Sequence, residues 1–134
     1  MRHLSELAVR LGDGDLATRL LPIVAGYAGQ MLVSYTGVTI EAAAERARAQ
    51  LLHALGRSDD ALAMSARAEA LEDAFGAAAL AAWSRHWRVR LLLARGGPDD
   101  TSTAATLLDR SRLTARALGM YQLATECDRL GPLT

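Results

Sequence analysis

The sequence predicts an all-α fold of about seven helices, in which antiparallel helix hairpins stack into a short right-handed superhelix. Of the 134 residues, 27 are alanine and 23 are leucine, and all 15 basic residues are arginine. These residues favour helices, and the chain has only three prolines to interrupt them. Apolar residues recur at steps of three and four, the spacing of helices that each bury one face. No segment indicates a strand.

The length and the charge restrict the classes of function. A chain of this size with 51% hydrophobic residues suits one globular domain spanning residues 1–134. Its 15 arginines are matched by 15 acidic residues, so the formal net charge is zero. Such a chain has no overall field to hold a nucleic acid or an anionic membrane. We therefore expect neither as a direct partner.

Sequence features also indicate the compartment. The single cysteine, Cys127, excludes an internal disulfide and fits a reducing, cytoplasmic setting. The first residues, Met1 to Leu11, lack the uninterrupted apolar region of a signal peptide. The longest apolar stretch, Leu20 to Tyr35, is broken by one proline and two glycines and falls short of the roughly 20 residues that cross a bilayer.

The first two helices lie on either side of a turn of glycine and aspartate. The apolar stripe of the first helix consists of Leu4, Leu7, Ala8 and Leu11. The turn at residues 12–15 ends this helix. Its aspartates can cap the second helix, which runs from about Leu16 to about Tyr27.

The third and fourth helices are bounded by capping residues and glycines. Thr39, which follows Gly37, is a candidate N-cap for the third helix, with Glu41 in the first turn. The stripe of this helix is Ala44, Ala47, Leu51 and Leu55, before Gly56. The fourth helix starts at the capping pair Asp59-Asp60 and ends at Gly76. Its stripe is Ala61, Met64, Ala68, Leu71 and Phe75.

The remaining three helices follow the same rules. The fifth is stopped by Gly96-Gly97-Pro98, the sixth starts near Asp99-Asp100 and ends before Gly119, and the seventh runs from about Tyr121 to about Leu130. The fifth stripe is Leu80, Trp83, Trp87, Leu91 and Ala94, and the sixth is Ala104, Leu107 or Leu108, Ser111, Ala115 and Leu118.

The joints between helices repeat. A glycine precedes an alanine by five residues, with an acidic residue between them, at Gly12 and again at Gly56. A third, stretched copy runs from Gly96 to Ala104. Glycine permits a tight reversal, the acidic residue caps the next helix, and the small alanine lets two helices approach closely. The repetition predicts stacked helical hairpins, which bury a continuous core only together.

The segment from about Ala42 to Gly76 has the length and the glycine-to-alanine spacing of a tetratricopeptide repeat. Glu45 and Arg48 stand where that consensus has an aromatic and an apolar residue. A closer resemblance is to the tetratricopeptide-like C-terminal tail of large bacterial ATP-binding transcriptional regulators, the LuxR-type and adenylate-cyclase-linked proteins. The stretches that carry it are Leu20-Leu21-Pro22, Leu55-Gly56-Arg57 with Asp60-Ala61, and Leu92 to Gly96 continuing through Ala115 to Met120.

This resemblance implies a sensing or scaffold module attached to a nucleotide-binding domain and to a DNA-binding or cyclase domain. The segment itself contains no lysine, which excludes a P-loop in its usual form. With Gly56 and Gly96 as the turn glycines, the tetratricopeptide register places six residues on a partner or ligand groove. They are Arg46, Gln50, His53, Trp83, His86 and Arg90. Such a set would suit an acidic peptide, a chain terminus or a polar ligand.

Other readings of the same residues stay open. Trp83 and Trp87 continue an apolar stripe, so they fit packing between hairpins as well as a binding surface. Nucleophilic catalysis would need Cys127 beside one of the histidines, His3, His53 or His86, and nothing in their spacing favours it. We expect no catalytic residue, no cofactor and no metal site. The arginines suggest a solvated face with pairs three residues apart: Glu45 with Arg48, Asp109 with Arg112, and Glu126 with Arg129.

The sequence therefore predicts a non-catalytic helical-repeat module for protein interaction or sensing. Its partner would be a protein or peptide, including other domains of a larger regulator. The alternative is a small-molecule-sensing helical domain that closes on a metabolite. A homodimer is also compatible with the pattern, because a short repeat stack leaves a terminal apolar helix face uncovered.

Overall fold

Seven helices, α1 to α7, account for most of the residues that the computed structural model describes, 2–34 and 39–134. They are α1 (Arg2–Leu11), α2 (Gly14–Ala25), α3 (Ala44–Ala54), α4 (Ser58–Ala74), α5 (Ala78–Arg95), α6 (Asp100–Ala117) and α7 (Tyr121–Leu130). Strands β1 (Met31–Val33) and β2 (Ile40–Ala43) lie between α2 and α3. From α3 onward each helix packs against the next, and α1 and α2 both pack against α3. The predicted all-α class and the number of helices are confirmed. None of the described helices has the length and apolar character needed to cross a bilayer.

One type of corner joins four pairs of consecutive helices. In each, a glycine with φ between +62° and +79° is followed by a residue whose N–H donates to the carbonyl five positions earlier. The carbonyl of that residue then accepts the first hydrogen bond of the next helix, from an alanine. The glycines are Gly12, Gly56, Gly76 and Gly119, and the alanines are Ala17, Ala61, Ala81 and Ala124. The spacing of five therefore occurs at two corners beyond the two that the sequence comparison identified.

The joint between α5 and α6 is longer and is held by ion pairs. The carboxylate of Asp100, the first residue of α6, accepts hydrogen bonds from the Gly97 N–H at 2.7 Å and from Nε of Arg95 at 2.8 Å. Arg95 also contacts Asp59 of α4, with Nη1 2.7 Å from Oδ1. The hydrogen bonds from Arg95 lower the pKa of Asp100 to about 2. Asp100 thus holds the joint together through Arg95 and Gly97, and it is the first residue of α6 and not its N-cap.

The predictions for helix caps have mixed outcomes. Asp13 caps α2 as expected, since its Oδ1 accepts from the Leu16 N–H at 2.9 Å. The N-cap positions of α4 and α6, Arg57 and Asp99, make no side-chain capping bond. The aspartates at the start of these helices pair with arginines instead, as Asp60 does with Arg57.

Two strands lie within residues 31–43, where the sequence predicts no strand and a helix capped by Thr39. They pair antiparallel, with Met31 opposite Ala43, Leu32 opposite Ala42, and Val33 opposite Ile40. Thr39 therefore does not cap a helix and Glu41 lies in β2, whereas α3 begins only at Ala44. The N-cap residue Ala43 has no capping side chain, and its own N–H donates to Oε1 of Glu72 on α4 at 3.0 Å. Gly37 lies outside the described residues.

The buried face of α1 also differs from the predicted one. Ser5 and Ala8 are fully buried, whereas Leu4, Leu7 and Leu11 are 44%, 43% and 66% exposed. Because α1 packs against α3, the small residues permit the close approach and the leucines face outward. The last stripe positions of three other helices, Phe75, Ala94 and Leu118, are likewise exposed. Most of the buried apolar side chains form three clusters. The cluster of Leu52, Ala61 and Leu91 is connected to the other two, because Leu21 packs against it and the cluster of α1 to α3, and Leu62 packs against it and the cluster of α5 to α7.

Two buried ion clusters fasten α4 to its neighbours. Glu72 is fully buried and its Oε1 lies 2.8 Å from Nη2 of Arg46 on α3. Glu69 lies 2.9 Å from Nε of Arg85 and 3.0 Å from Nη1 of Arg88, both on α5. The prediction that the arginines form a solvated face is therefore wrong for Arg46 and Arg85, which are each 5% exposed. Their acidic partners come from another helix, which spacing within one helix does not reveal.

The predicted pairs within helices divide in the same way. Arg112 pairs with Asp109 at 2.9 Å and Arg129 with Glu126 at 2.7 Å, as expected for exposed residues three apart. Glu45 does not pair with Arg48. It is fully buried and accepts a hydrogen bond from the Gly29 N–H at 2.7 Å, which ties the loop before β1 to α3.

Candidate binding groove

A groove of about 740 Å³ opens between alternate helices of the stack. We call it the interhelical groove. Helix α5 contributes Leu80, Trp83, His86, Trp87 and Arg90, and the other helices contribute Glu6, Val9 and Arg10 from α1, Arg46 from α3, and Gln122 and Glu126 from α7. Ser34, Thr39, Ile40 and Glu41 complete the described lining. Every helical contribution thus comes from the first helix of a hairpin or from α7.

Four of the six predicted groove residues line this groove: Arg46, Trp83, His86 and Arg90. Gln50 does not, because it is 1% exposed, and neither amide atom has a hydrogen-bond partner among the described residues. His53 is half-buried and does not line the groove, and its ring lies edge-on to Trp87 at a centroid distance of 6.0 Å. The predicted set missed Arg10 and the acidic residues Glu6, Glu41 and Glu126, since these lie outside the two repeats used for the register. It also left out Trp87, although this residue lies on α5 beside His86 and its sequence position fits a binding surface as well as the core.

Arg46 lines the groove, but its guanidinium is bound by groups of the protein. Its Nε donates to Oγ of Ser84 at 2.8 Å, and its Nη2 donates to the Leu80 carbonyl at 2.6 Å and to Glu72 at 2.8 Å. These bonds join α3, α4 and α5 beneath the groove. Its charge is neutralised by Glu72, so Arg46 is not available to bind an anion.

Aromatic rings form the floor of the groove. Both tryptophans are half-buried, and Trp83 packs against the core cluster of α5 to α7 while Trp87 packs against that of Leu52, Ala61 and Leu91. Each ring also lines the groove. Both tryptophans therefore pack against the core with one part of the ring and face the groove with another. The guanidinium of Arg90 lies over the Trp87 ring, 5.5 Å from its centroid, in a cation–π contact.

Two arginines carry the accessible positive charge of the groove. Arg10 and Arg90 are both exposed, and within residues 2–34 and 39–134 neither forms a salt bridge. By contrast, Glu126 at the α7 side is paired with Arg129. An anionic group at the α5 side of the groove therefore meets Arg90 beside the Trp87 ring, whereas the α1 side combines Arg10 with the carboxylate of Glu6. This arrangement suits a carboxylate next to an apolar side chain.

The structure brings the single cysteine to a histidine that is 41 residues away. Sγ of Cys127 on α7 lies 3.8 Å from Nδ1 of His86. Burial raises the pKa of the Cys127 thiol, and burial followed by the charge of Arg90 lowers the pKa of His86. Both shifts favour the neutral thiol and the neutral imidazole. Nucleophilic catalysis requires the thiolate, which this environment opposes.

Among the described residues, no three histidine, cysteine, aspartate or glutamate side chains come together as ligands for a metal ion. Comparison with known proteins gives no match to a family model, to a curated protein or to a solved structure.

Proposed function

We propose that this chain is a non-catalytic helical-repeat module that binds a protein or peptide segment in the interhelical groove. The observation that carries the proposal is that one groove holds two exposed arginines, Arg10 and Arg90, which form no salt bridge among the described residues, together with the indole rings of Trp83 and Trp87. The segment best suited to this groove is acidic and contains an aromatic or aliphatic residue. Arginine and tryptophan are also the residues that most often dominate the energetics of interfaces.

The resemblance of the sequence to regulator tails supports a place for this module in a bacterial cytoplasmic transcriptional regulator. The bound segment would then belong to another domain of that regulator or to a partner protein. The exposed leucines of α1, Leu4, Leu7 and Leu11, would supply a surface for a homodimer.

The second candidate is the sensing of a small anionic metabolite in the same groove. It is favoured by the volume of about 740 Å³, which lies in the range of about 300–1,000 Å³ of small-molecule sites. The same arginines and indoles would bind the metabolite, so the two candidates differ in the ligand and not in the residues.

Fluorescent decapeptides of acidic, neutral and basic net charge, each with one tryptophan or leucine, test the first proposal by anisotropy. We expect binding of the acidic set, weakened by about tenfold or more in Arg90→Ala and in Trp83→Ala. Arg67→Ala is the matched control, because Arg67 is an exposed arginine on α4 that does not line the groove. Equal binding of all three peptide sets would contradict the proposal. Binding of small dicarboxylates alone, with the same loss in Arg90→Ala, would support the second candidate instead.

A further inference from the structure

A second groove, of about 380 Å³, lies on the other side of α3, between α2 and α4. We call it the outer groove. Its wall is apolar over Leu21, Pro22, Leu52 and Met64. Leu21 and Met64 pack against the same buried cluster that contains Leu52, so this wall is continuous with the core. An apolar ligand in this groove would extend the core and would remove part of its apolar surface from water.

Three charged residues also line the outer groove, and two of them neutralise each other. Arg57 Nη2 lies 2.7 Å from Oδ2 of Asp60. The third is Arg48, which is half-buried and has no ion pair within the described residues. Its Nε is buried without a hydrogen-bond partner among them. The outer groove therefore holds, beside the Arg57–Asp60 pair, one cation without a counterion among the described residues.

The charge of Arg48 lies at a position that is apolar in the tetratricopeptide consensus. Glu45, which is three residues earlier, points its carboxylate to Gly29 instead of to Arg48. A partly buried guanidinium without an acceptor is destabilising, whereas an incoming carboxylate would satisfy it.

We infer that the outer groove binds a small aliphatic carboxylate, with the carboxylate at Arg48 and the hydrocarbon chain against Leu21, Leu52 and Met64. The ligand is a free amphiphile, and a groove of about 380 Å³ has room for a chain such as that of octanoate. This inference is independent of the proposed peptide binding, since the two grooves share no lining residue.

Titration of the ¹⁵N-labelled chain with octanoate tests the inference, because amide shifts report both the location and the affinity. We expect shifts confined to the facing parts of α2, α3 and α4, and a Kd weakened by about tenfold or more in Arg48→Met. Arg67→Met is the matched control, with a Kd within about twofold of the unaltered chain, because Arg67 is an exposed arginine on α4 that does not line the outer groove. Ala63→Leu, at an exposed position of the groove wall, should abolish binding by filling the space.

Octanol provides a comparison that needs no variant. It has the same chain without the charge, so we expect it to bind the unaltered chain about tenfold more weakly than octanoate. The inference is overturned if octanoate does not bind, if its shifts map to the interhelical groove, if octanol binds equally well, or if a folded Arg48→Met keeps the original affinity.

Discussion

Arg46 and Arg90 line the same groove from two helices in contact, yet their surroundings are opposite. Arg46 is 5% exposed and is bound by Glu72, Ser84 and a backbone carbonyl. Arg90 is exposed, lies over the Trp87 ring and has no acidic partner among the described residues. A buried guanidinium is tolerated only with its charge compensated, whereas an exposed one can remain unpaired for a ligand. All basic residues of this chain are arginine, so the residue type does not tell a structural position from a binding one. The presence or absence of an acidic partner does.

The largest expected effect comes from removing the partner of Arg46. Glu72→Ala leaves the guanidinium buried without a counterion and the N–H of Ala43 without its acceptor. We expect the free energy of unfolding to fall by about 3–5 kcal/mol, measured by urea denaturation followed by circular dichroism. Asp73→Ala is the control, because Asp73 is the next residue on α4 and is exposed. It should change the free energy by no more than about 0.5 kcal/mol.

A double variant sharpens this result. Arg46→Met combined with Glu72→Leu replaces the buried pair by apolar side chains of similar volume, and we expect it to recover most of the stability lost in Glu72→Ala. If Glu72→Ala is as stable as Asp73→Ala, the ion pair does not stabilise the wall of the groove and the contrast with Arg90 fails.

The second effect concerns the corner that sets α4, and hence Glu72, against α3. Gly56 has φ +73°, and a Cβ added there would meet no atom within 4 Å, so Gly56→Ala costs only backbone strain. We expect a loss of about 1–2 kcal/mol, measured by thermal denaturation. Gly14→Ala is the matched control, because Gly14 lies in the first turn of α2, has no left-handed φ and has equal space. It should be neutral or stabilising by about 0.4–1 kcal/mol. Equal losses in both variants would contradict the strain argument.

A smaller effect is expected from Asp100 and Arg95, which are intermediate between the two extremes because Arg95 is 38% exposed. The pKa of Asp100 is lowered from 3.8 to about 2 in the folded chain. Its stabilising contribution is therefore complete above about pH 4 and is lost as the pH falls towards 2. The melting temperature of Asp100→Asn should lie below that of the unaltered chain at pH 7, and the difference should close near pH 2. A difference that persists at pH 2 would assign the effect to something other than this charge.

Much of the fold could be predicted because its signals are local. Helix periods and the glycine corners need only a few neighbouring residues, and the seventh helix has the bounds expected for it. The strands could not be predicted in this way, since β1 has three residues and alternation is not visible at that length. The sequence predicts that the leucines of α1 are buried, but the helix packs with its small residues Ser5 and Ala8 instead. The leucine spacing alone does not show which of the two faces is buried.

The groove was predictable only in part because its chemistry depends on pairing between helices. Of the residues that the repeat register assigned, Trp83, His86 and Arg90 line the groove together with Arg46. The register could not distinguish Arg46 from Arg90, since Glu72 is 26 residues away from Arg46 in the sequence. The contact between Cys127 and His86 was invisible for the same reason.

The smallest effect on stability and the most informative one on electrostatics should come from Arg90→Ala. Because the side chain is exposed and no acidic partner lies among the described residues, the free energy of unfolding should change by no more than about 0.5 kcal/mol. Arg90 lowers the pKa of both His53 and His86, so its removal should raise both values, measured from imidazole proton shifts against pH. Each pKa should still remain below 6.5, because burial is the larger cause of the shift for both rings. An anion bound at Arg90 in the unaltered chain should also raise the pKa of both histidines, because it compensates the charge of Arg90. If neither Arg90→Ala nor a bound anion changes these pKa values, Arg90 does not set the electrostatic potential of the groove.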